Sequence, residues 1–285
     1  MSPPCLEVRG LHVWIDVPGR QQVHPVRGVD FSVGSGERFG LVGESGSGKT
    51  TTALAIMGLL PSNATLAGEL VLDGESLLVD GEKSVRPHRW TDIAMVFQGA
   101  MNAFNPVLTI GRQITEALEF HDVAHGNRAR ARTAELLEMV DVRPAVANSY
   151  PHELSGGMRQ RAMIAMALSC EPKVLLADEP TTALDVVVQA QILELLTGLC
   201  DERGLTLLLI THDLAVVARV CQRAAVMRDG EFVEVAALDT LYHDAQHPYT
   251  RELFAATPRL VAARGRRHGA TTTTETLPEI SHGSS

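Results

Sequence analysis

The sequence is poor in three things that would narrow its function at once: cysteine, aromatic side chains and long apolar runs. Its four cysteines, Cys5, Cys170, Cys200 and Cys221, stand far apart with no C-x-x-C spacing. That scatter argues against a disulfide framework or a cysteine-built zinc site and fits buried thiols in a reducing compartment. Aromatic residues make up only 4% of the chain, so the core must come from Ala, Val and Leu, side chains that let helices pack closely on a sheet. No apolar stretch approaches the roughly 20 residues that cross a bilayer. The start, Met1-Ser2-Pro3-Pro4-Cys5, has neither the basic nor the apolar character of a secretory leader. The expectation is a soluble protein, or one that meets a membrane only through partners. A surplus of positive charge is missing too: 25 Lys and Arg stand against 34 Asp and Glu, a net charge of −9. Neutralising a phosphate backbone needs the opposite balance, so no general nucleic-acid partner is expected.

What the chain does contain is a regular alternation of short apolar runs with helical stretches. Leu6, Val8, Leu11, Val13 and Ile15 alternate as in a half-buried strand, and Val29–Val33 and Phe39–Val42 read as further strands. Thr50 to Leu60 reads as a helix stopped by Pro61. Gly68 to Leu72 followed by Asp73-Gly74 predicts a hairpin, and Ile93 to Phe97 a short buried strand. From about 99 to 170 the composition turns helical, with helices predicted at Ile110–Phe120, Arg128–Val140 and Met158–Ser169 between breakers at Pro106, Pro144 and Pro151. Strand Lys173–Ala177, a helix with Val188, Ile192, Leu195, Leu196 and Leu199 on one face, and the continuous apolar strand Leu205–Ile210 then follow. Strands alternating with helices predict an α/β fold with a mainly parallel, doubly covered sheet into which a helical subdomain is inserted. Past Gly265 the run of Thr, Ser and Gly predicts a disordered tail over 261–285.

Two motifs carry chemistry without any appeal to relatives. The pattern G-x-x-x-x-G-K-[ST] is met by Gly43, Gly48, Lys49 and Thr50, within Gly43-Glu44-Ser45-Gly46-Ser47-Gly48-Lys49-Thr50-Thr51. Glycines let successive backbone N–H groups curl around an anion, and a helix starting at Gly48 adds its positive end. Lys49 is placed to reach the β- and γ-phosphates of a nucleotide, and the Thr50 hydroxyl to bind Mg²⁺. At the end of a buried strand, Asp178 and Glu179 present two adjacent carboxylates, the first placed to hold Mg²⁺ and the second to take a proton from an attacking water. A third stretch, Leu154-Ser155-Gly156-Gly157-Met158-Arg159-Gln160, pairs an N-cap serine with bared backbone before a helix, a second place shaped for phosphate oxygens.

With these elements in this order, the chain resembles the ATP-binding cassette (ABC) ATPases over residues 5–260. The resemblance implies a P-loop cassette fold with an antiparallel β subdomain. It also implies a head-to-tail dimer in which Ser155, Gly156 and Gly157 of one subunit clamp ATP on the phosphate loop of another. It assigns Gln98 to Mg²⁺ and the attacking water, Asp185, in Thr182-Ala183-Leu184-Asp185, to the loop touching the opposite subunit, and His212 to the γ-phosphate. The residue stacking on adenine falls at Ile15 or its neighbour Trp14. Tyr150-Pro151-His152-Glu153 before the Ser155 motif, Phe97-Gln98-Gly99-Ala100-Met101-Asn102 and His247-Pro248-Tyr249-Thr250-Arg251 resemble the ATPases of oligopeptide and dipeptide importers. That implies an ATP-hydrolysing subunit at the cytoplasmic face of the inner membrane. It would dimerise with itself or a paralogue, engage two permease subunits near residues 99–110, and serve an external solute-binding protein indirectly. Many such ATPases carry a cysteine-rich iron–sulfur segment after His-Pro-Tyr; no cysteine follows Cys221 here, so no cluster is expected. The alternatives are an ABC ATPase acting on nucleic acid or the ribosome, and an export motor.

Overall fold

The computed structural model describes residues 4–19, 21–77, 82–99 and 103–255. Two sheets organise them. The first is antiparallel, in the order β2-β1-β4-β5, from β1 (Pro4–Ile15), β2 (Val23–Gly34), β4 (Ala64–Leu72) and β5 (Glu75–Ser76). The second has the order β10-β9-β3-β8-β7-β6, from β3 (Arg38–Val42), β6 (Ile93–Val96), β7 (Val174–Asp178), β8 (Thr206–Thr211), β9 (Arg223–Arg228) and β10 (Glu231–Ala237). Every pairing in the second sheet is parallel except β9 with β10.

The continuous apolar runs of the parallel strands follow from burial on both faces. Leu207 and Leu209 point into one core and Leu208 and Ile210 into the other; Leu175 and Ala177 alternate in the same way with Val174 and Leu176. One core lies under helices α5 (Gly156–Ala167), α6 (Val186–Arg203) and α7 (Leu214–Val220); the other lies between the central sheet, the antiparallel sheet and α1 (Lys49–Ile56). Between β6 and β7 the described residues form helices and turns alone, chiefly α3 (Ile110–Phe120), α4 (Gly126–Met139) and α5, preceded in the chain by the short α2 (Glu82–Val85).

One helix end and several later elements depart from the sequence reading. The helix after the phosphate loop ends at Ile56 rather than Leu60 because Gly58 adopts φ +59°. Its N–H bonds Ala55 O and that of Leu59 reaches back to Leu54 O at 2.7 Å, a left-handed cap that closes the helix before Pro61. The β9–β10 hairpin and helices α8 (Leu238–His243) and α9 (Pro248–Ala255) are elements that the sequence reading left unassigned. The Asp73-Gly74 turn is as expected, both residues at positive φ between β4 and β5. The tail 261–285 and residues 100–102 lie outside the described residues.

The antiparallel sheet has one tight crossing. The β1–β4 register slips between Arg9 and His12, and there Gly68, at φ +119°, lies so close to β1 that a Cβ would sit 2.5 Å from Gly10 O. Gly68→Ala combines left-handed strain with backbone overlap and should cost about 3 kcal/mol. A lowered urea midpoint checks this; an unchanged one contradicts it.

Candidate nucleotide-binding site

The site is created by strand register. Val42 pairs with Thr211, Ile210 with Asp178, and Ala177 with Val96, so β3, β8, β7 and β6 end level at one edge of the sheet. Gly43, His212 and Glu179 directly follow three of those ends, and Gln98 lies two residues beyond the end of β6. A cavity of about 700 Å³ opens there, lined by the loop from Gly43 to Thr51 with Gln98, Glu179, Thr182 and His212, and by Pro25 and Leu253.

The loop is braced from behind. A Cβ on Gly43 (φ +153°) would lie 2.1 Å from Met227 O, and one on Gly48 (φ +108°) 2.2 Å from Pro25 O, so only glycine lets the loop sit against β9 and β2. Lys49 is buried, and its Nζ donates to Gly43 O (2.8 Å), Glu44 O (2.6 Å) and Ser47 Oγ (3.3 Å). Burial pushes its pKa down, opposed by the charges of Glu179, Asp178 and Glu44. The Thr50 hydroxyl, at the start of α1, donates to Asp178 Oδ1 at 3.3 Å. Asp178 is 2% exposed, and burial pushes its carboxyl pKa up against the pull of Thr50 and Lys49.

Glu179 sits at φ +44°, a left-handed conformation uncommon outside glycine, and its backbone N–H remains bonded to Ile210 O. Both its oxygens are engaged. Oε1 accepts from His212 Nδ1 at 2.6 Å; Oε2 accepts from Thr182 Oγ1 at 2.7 Å and from Gln98 Nε2 at 3.2 Å. Burial works to raise this carboxyl's pKa, but the bonds from His212 and Thr182 and the charge of Lys49 outweigh it and hold it below the ordinary value. The group is therefore an ionised carboxylate, able to receive a proton and gripped by donors on both sides.

The structure thus gathers Gly43, Gly46, Gly48, Lys49, Thr50, Thr51, Ser45, Gln98, Glu179 and His212 around one cavity, with Asp178 bonded to Thr50. Ser155, Gly156, Gly157 and Asp185 do not line it. They form a patch of their own: Ser155 caps α5 by accepting from Met158 N–H, and Asp185 caps α6 by accepting from Val187 and Val188 N–H. Val188 packs where a Cβ on Gly157 would be 2.6 Å away, and Val186 and Val187 beside it are 80% and 65% exposed. Neither candidate for the adenine is on the cavity wall. Trp14 stacks on His24 (4.7 Å between ring centroids) and His12 (5.2 Å), while Ile15 packs partly buried against the core beneath the antiparallel sheet. Thr182, Pro25 and Leu253 are wall residues the sequence did not single out as such. Thr182 had a signal, since a hydroxyl three residues after Glu179 can fold back in a turn; Leu253, some two hundred residues from the loop, had none.

The sequence profile of the family described as ABC transporter matches residues 26–182. The chain is 48% identical over 257 residues to the probable peptide ABC transporter ATP-binding protein y4tR of Sinorhizobium fredii, covering 89% of this chain and 74% of that one. It is 47% identical to the oligopeptide transport ATP-binding protein AppD of Bacillus subtilis, covering 89% and 78%. It spans about half the length of some further relatives. Its fold matches the dimeric, ADP- and phosphate-bound post-hydrolysis state of the ATP-binding cassette MJ0796 with a TM-score of 0.73 at 30% identity, covering 82% of this chain and 98% of that one. Sequence and fold agree, and this chain belongs to the ABC transporter family as an ATP-hydrolysing cassette.

Proposed function

We propose that this chain is the motor subunit of a bacterial ABC importer for peptides or a related small solute. In this reading it binds and hydrolyses ATP between two cassettes on the cytoplasmic face of the inner membrane. The observation that carries the catalytic part is Glu179, an ionised carboxylate held between His212, Thr182 and Gln98 at the mouth of the phosphate loop. The likeness to relatives named for peptide and oligopeptide transport supports the solute class.

The roles follow from position. Backbone N–H groups of 43–50 and the start of α1 cradle the phosphates, and Lys49 exchanges its bonds to Gly43 O and Glu44 O for phosphate oxygens. The donor set fits Mg²⁺: Asp178 is a buried carboxylate whose hydrogen-bonding neighbour is the Thr50 hydroxyl, a pair of hard oxygen ligands that Gln98 completes. When bound, Mg²⁺ would neutralise charge building on the β- and γ-phosphates. For water to be activated, one bond to Glu179 must give way. The Gln98 amide, at 3.2 Å, is the longest, so Gln98 swings off Oε2 while Glu179 accepts the proton and His212 holds Oε1 and reaches the γ-phosphate. The water oxygen bonds to the γ-phosphorus as the bond to the β–γ bridging oxygen breaks; ADP leaves with the bridging oxygen, and inorganic phosphate carries the oxygen of the water.

The face formed by Ser155, Gly156, Gly157 and Asp185 is assigned to the second cassette, either another copy of this chain or a paralogue, and the exposed Val186 and Val187 supply apolar area for that contact. A groove of about 470 Å³ lined by Arg86, Trp90, Asn105, Leu108 and the largely exposed Phe120 lies against the helices between β6 and β7. It is assigned to the permease subunits, through which an external binding protein would deliver the solute. No iron–sulfur cluster is part of this reading, and the cassette is taken as 5–260 with 99–170 as its helical insertion. Co-purification from native membranes tests the transport reading. Integral membrane subunits should accompany the tagged chain; ribosomes or DNA in their place would overturn it.

Three substitutions test the site. Glu179→Gln should lower turnover at least a hundredfold while ATP binding persists, because an amide cannot take the proton; wild-type turnover would remove Glu179 from its role. Lys49→Ala should weaken ATP binding at least tenfold in a titration, and unchanged affinity would count against the phosphate loop. Thr182→Val removes a donor to the ionised carboxylate, so the Glu179 pKa should rise toward its ordinary value in a ¹³C NMR titration. A depressed carboxyl stabilises the fold above its unfolded pKa and loses that contribution as pH falls through the folded one, so the variant should lose it at higher pH. An unmoved midpoint would show that Thr182 does not hold Glu179.

A further inference from the structure

The last described helix is built into the nucleotide site rather than trailing from it. Its start is anchored on β10: Glu234 accepts the N–H groups of Gln246 (2.9 Å) and His247 (3.1 Å), and although burial opposes the charge, these bonds hold its carboxyl pKa low. Arg251 bonds Ala245 O and Gln246 O, the Phe254 ring meets Tyr242 edge-on at 4.7 Å, and Leu253 reaches the cavity wall. Between these anchors lies Tyr249, 6% exposed, with the Arg228 guanidinium over its ring at 4.6 Å. Arg228 belongs to the hairpin that braces the phosphate loop, where Gly230 N–H donates to Ser47 O at 3.1 Å.

The Tyr249 hydroxyl is buried beside the carboxylate and backbone of Glu44, yet forms no well-aligned hydrogen bond there. Burial first, then the charge and nearness of the Glu44 carboxylate, raise the phenol's pKa against the pull of the Glu44 backbone and the Arg228 charge. A buried orphan hydroxyl is costly, and a mutually adjacent donor and carboxylate need only a small shift to meet. Glu44 is also the residue whose carbonyl accepts from both Lys49 Nζ (2.6 Å) and Ser47 N–H (3.2 Å). Fixing Glu44 therefore fixes the carbonyl that must release Lys49 to the phosphates.

The geometry points to Tyr249 as a positioning residue for nucleotide binding: its hydroxyl donates to the Glu44 carboxylate when the phosphate loop closes on ATP. The segment 247–255 thereby becomes a strap that couples the C-terminal end of the cassette to ATP affinity. The inference rests on the reading of Gly43–Thr50 as the phosphate loop.

The test is Tyr249→Phe in the full chain, which keeps the ring on Arg228 and removes the hydroxyl alone. Its Tm without nucleotide should equal or exceed that of the wild type, since a buried orphan is lost. The rise in Tm on adding saturating ATP should shrink, the Kd for ATP should weaken about tenfold, and KM should rise with kcat unchanged. An ATP Kd equal to that of the wild type overturns the inference, as does a fall in Tm that is the same with and without ATP, which marks a hydroxyl serving the fold alone. Lys49→Ala in the same titration separates the two claims. If it too leaves Kd unchanged, the phosphate-loop reading fails; if it alone weakens binding, only the role of Tyr249 does.

Discussion

Four parallel strands ending level is the constraint on which the site depends. Backbone pairing of Val42 with Thr211, Ile210 with Asp178 and Ala177 with Val96 leaves no freedom in where Gly43, His212, Glu179 and Gln98 emerge. A slip of one residue in any strand would also exchange the faces of its side chains, sending Leu208 and Ile210 into the core meant for Leu207 and Leu209. The two hydrophobic cores thus hold the register, and the register holds the chemistry. Helix α1 begins at this chemistry behind a glycine, while α5 and α6 begin away from the cavity behind a serine and an aspartate that cap them, so local capping and long-range register agree.

The central sheet was legible because burial on both faces leaves a signature no other strand type leaves, an unbroken run such as Leu207–Ile210. The phosphate loop and the two carboxylates were legible because their chemistry is written in adjacent residues. Harder to read was anything that depends on contact across the chain. β10 is only partly buried and resembles many exposed segments, while the buried apolar run of β9 is confined to 224–227 between two arginines. Leu253 reaches the cavity wall from α9, whose Tyr249 packs against Arg228, and no local spacing announces either contact. Gly58 was legible in principle, but Pro61 is the louder stop signal and drew the helix boundary past it.

Trp14 follows simple alternation although its edge of the sheet keeps no regular ladder. Strand alternation placed it on the face opposite the core, and there it stacks with His12 and His24, partly exposed. The β1–β2 pairing shifts several times along this edge, including between Val13 and Ile15, so neighbouring positions cannot be extrapolated from a regular ladder.

The central claim is that one chain carries two halves of different sites, with the phosphate loop on one face and the Ser155–Gly157 helix start on another. Complementation tests it most directly. A Lys49→Ala chain lacks the first half, and a Gly156→Asp chain places a like charge against the phosphates in the second. Each, once shown to be folded, should be nearly inactive alone, whereas a mixed dimer contains one intact composite site. The account predicts that mixing the two chains restores ATP turnover to a substantial fraction of one wild-type site. A mixture in which mixed dimers form yet turnover stays at the level of the separate chains would contradict it.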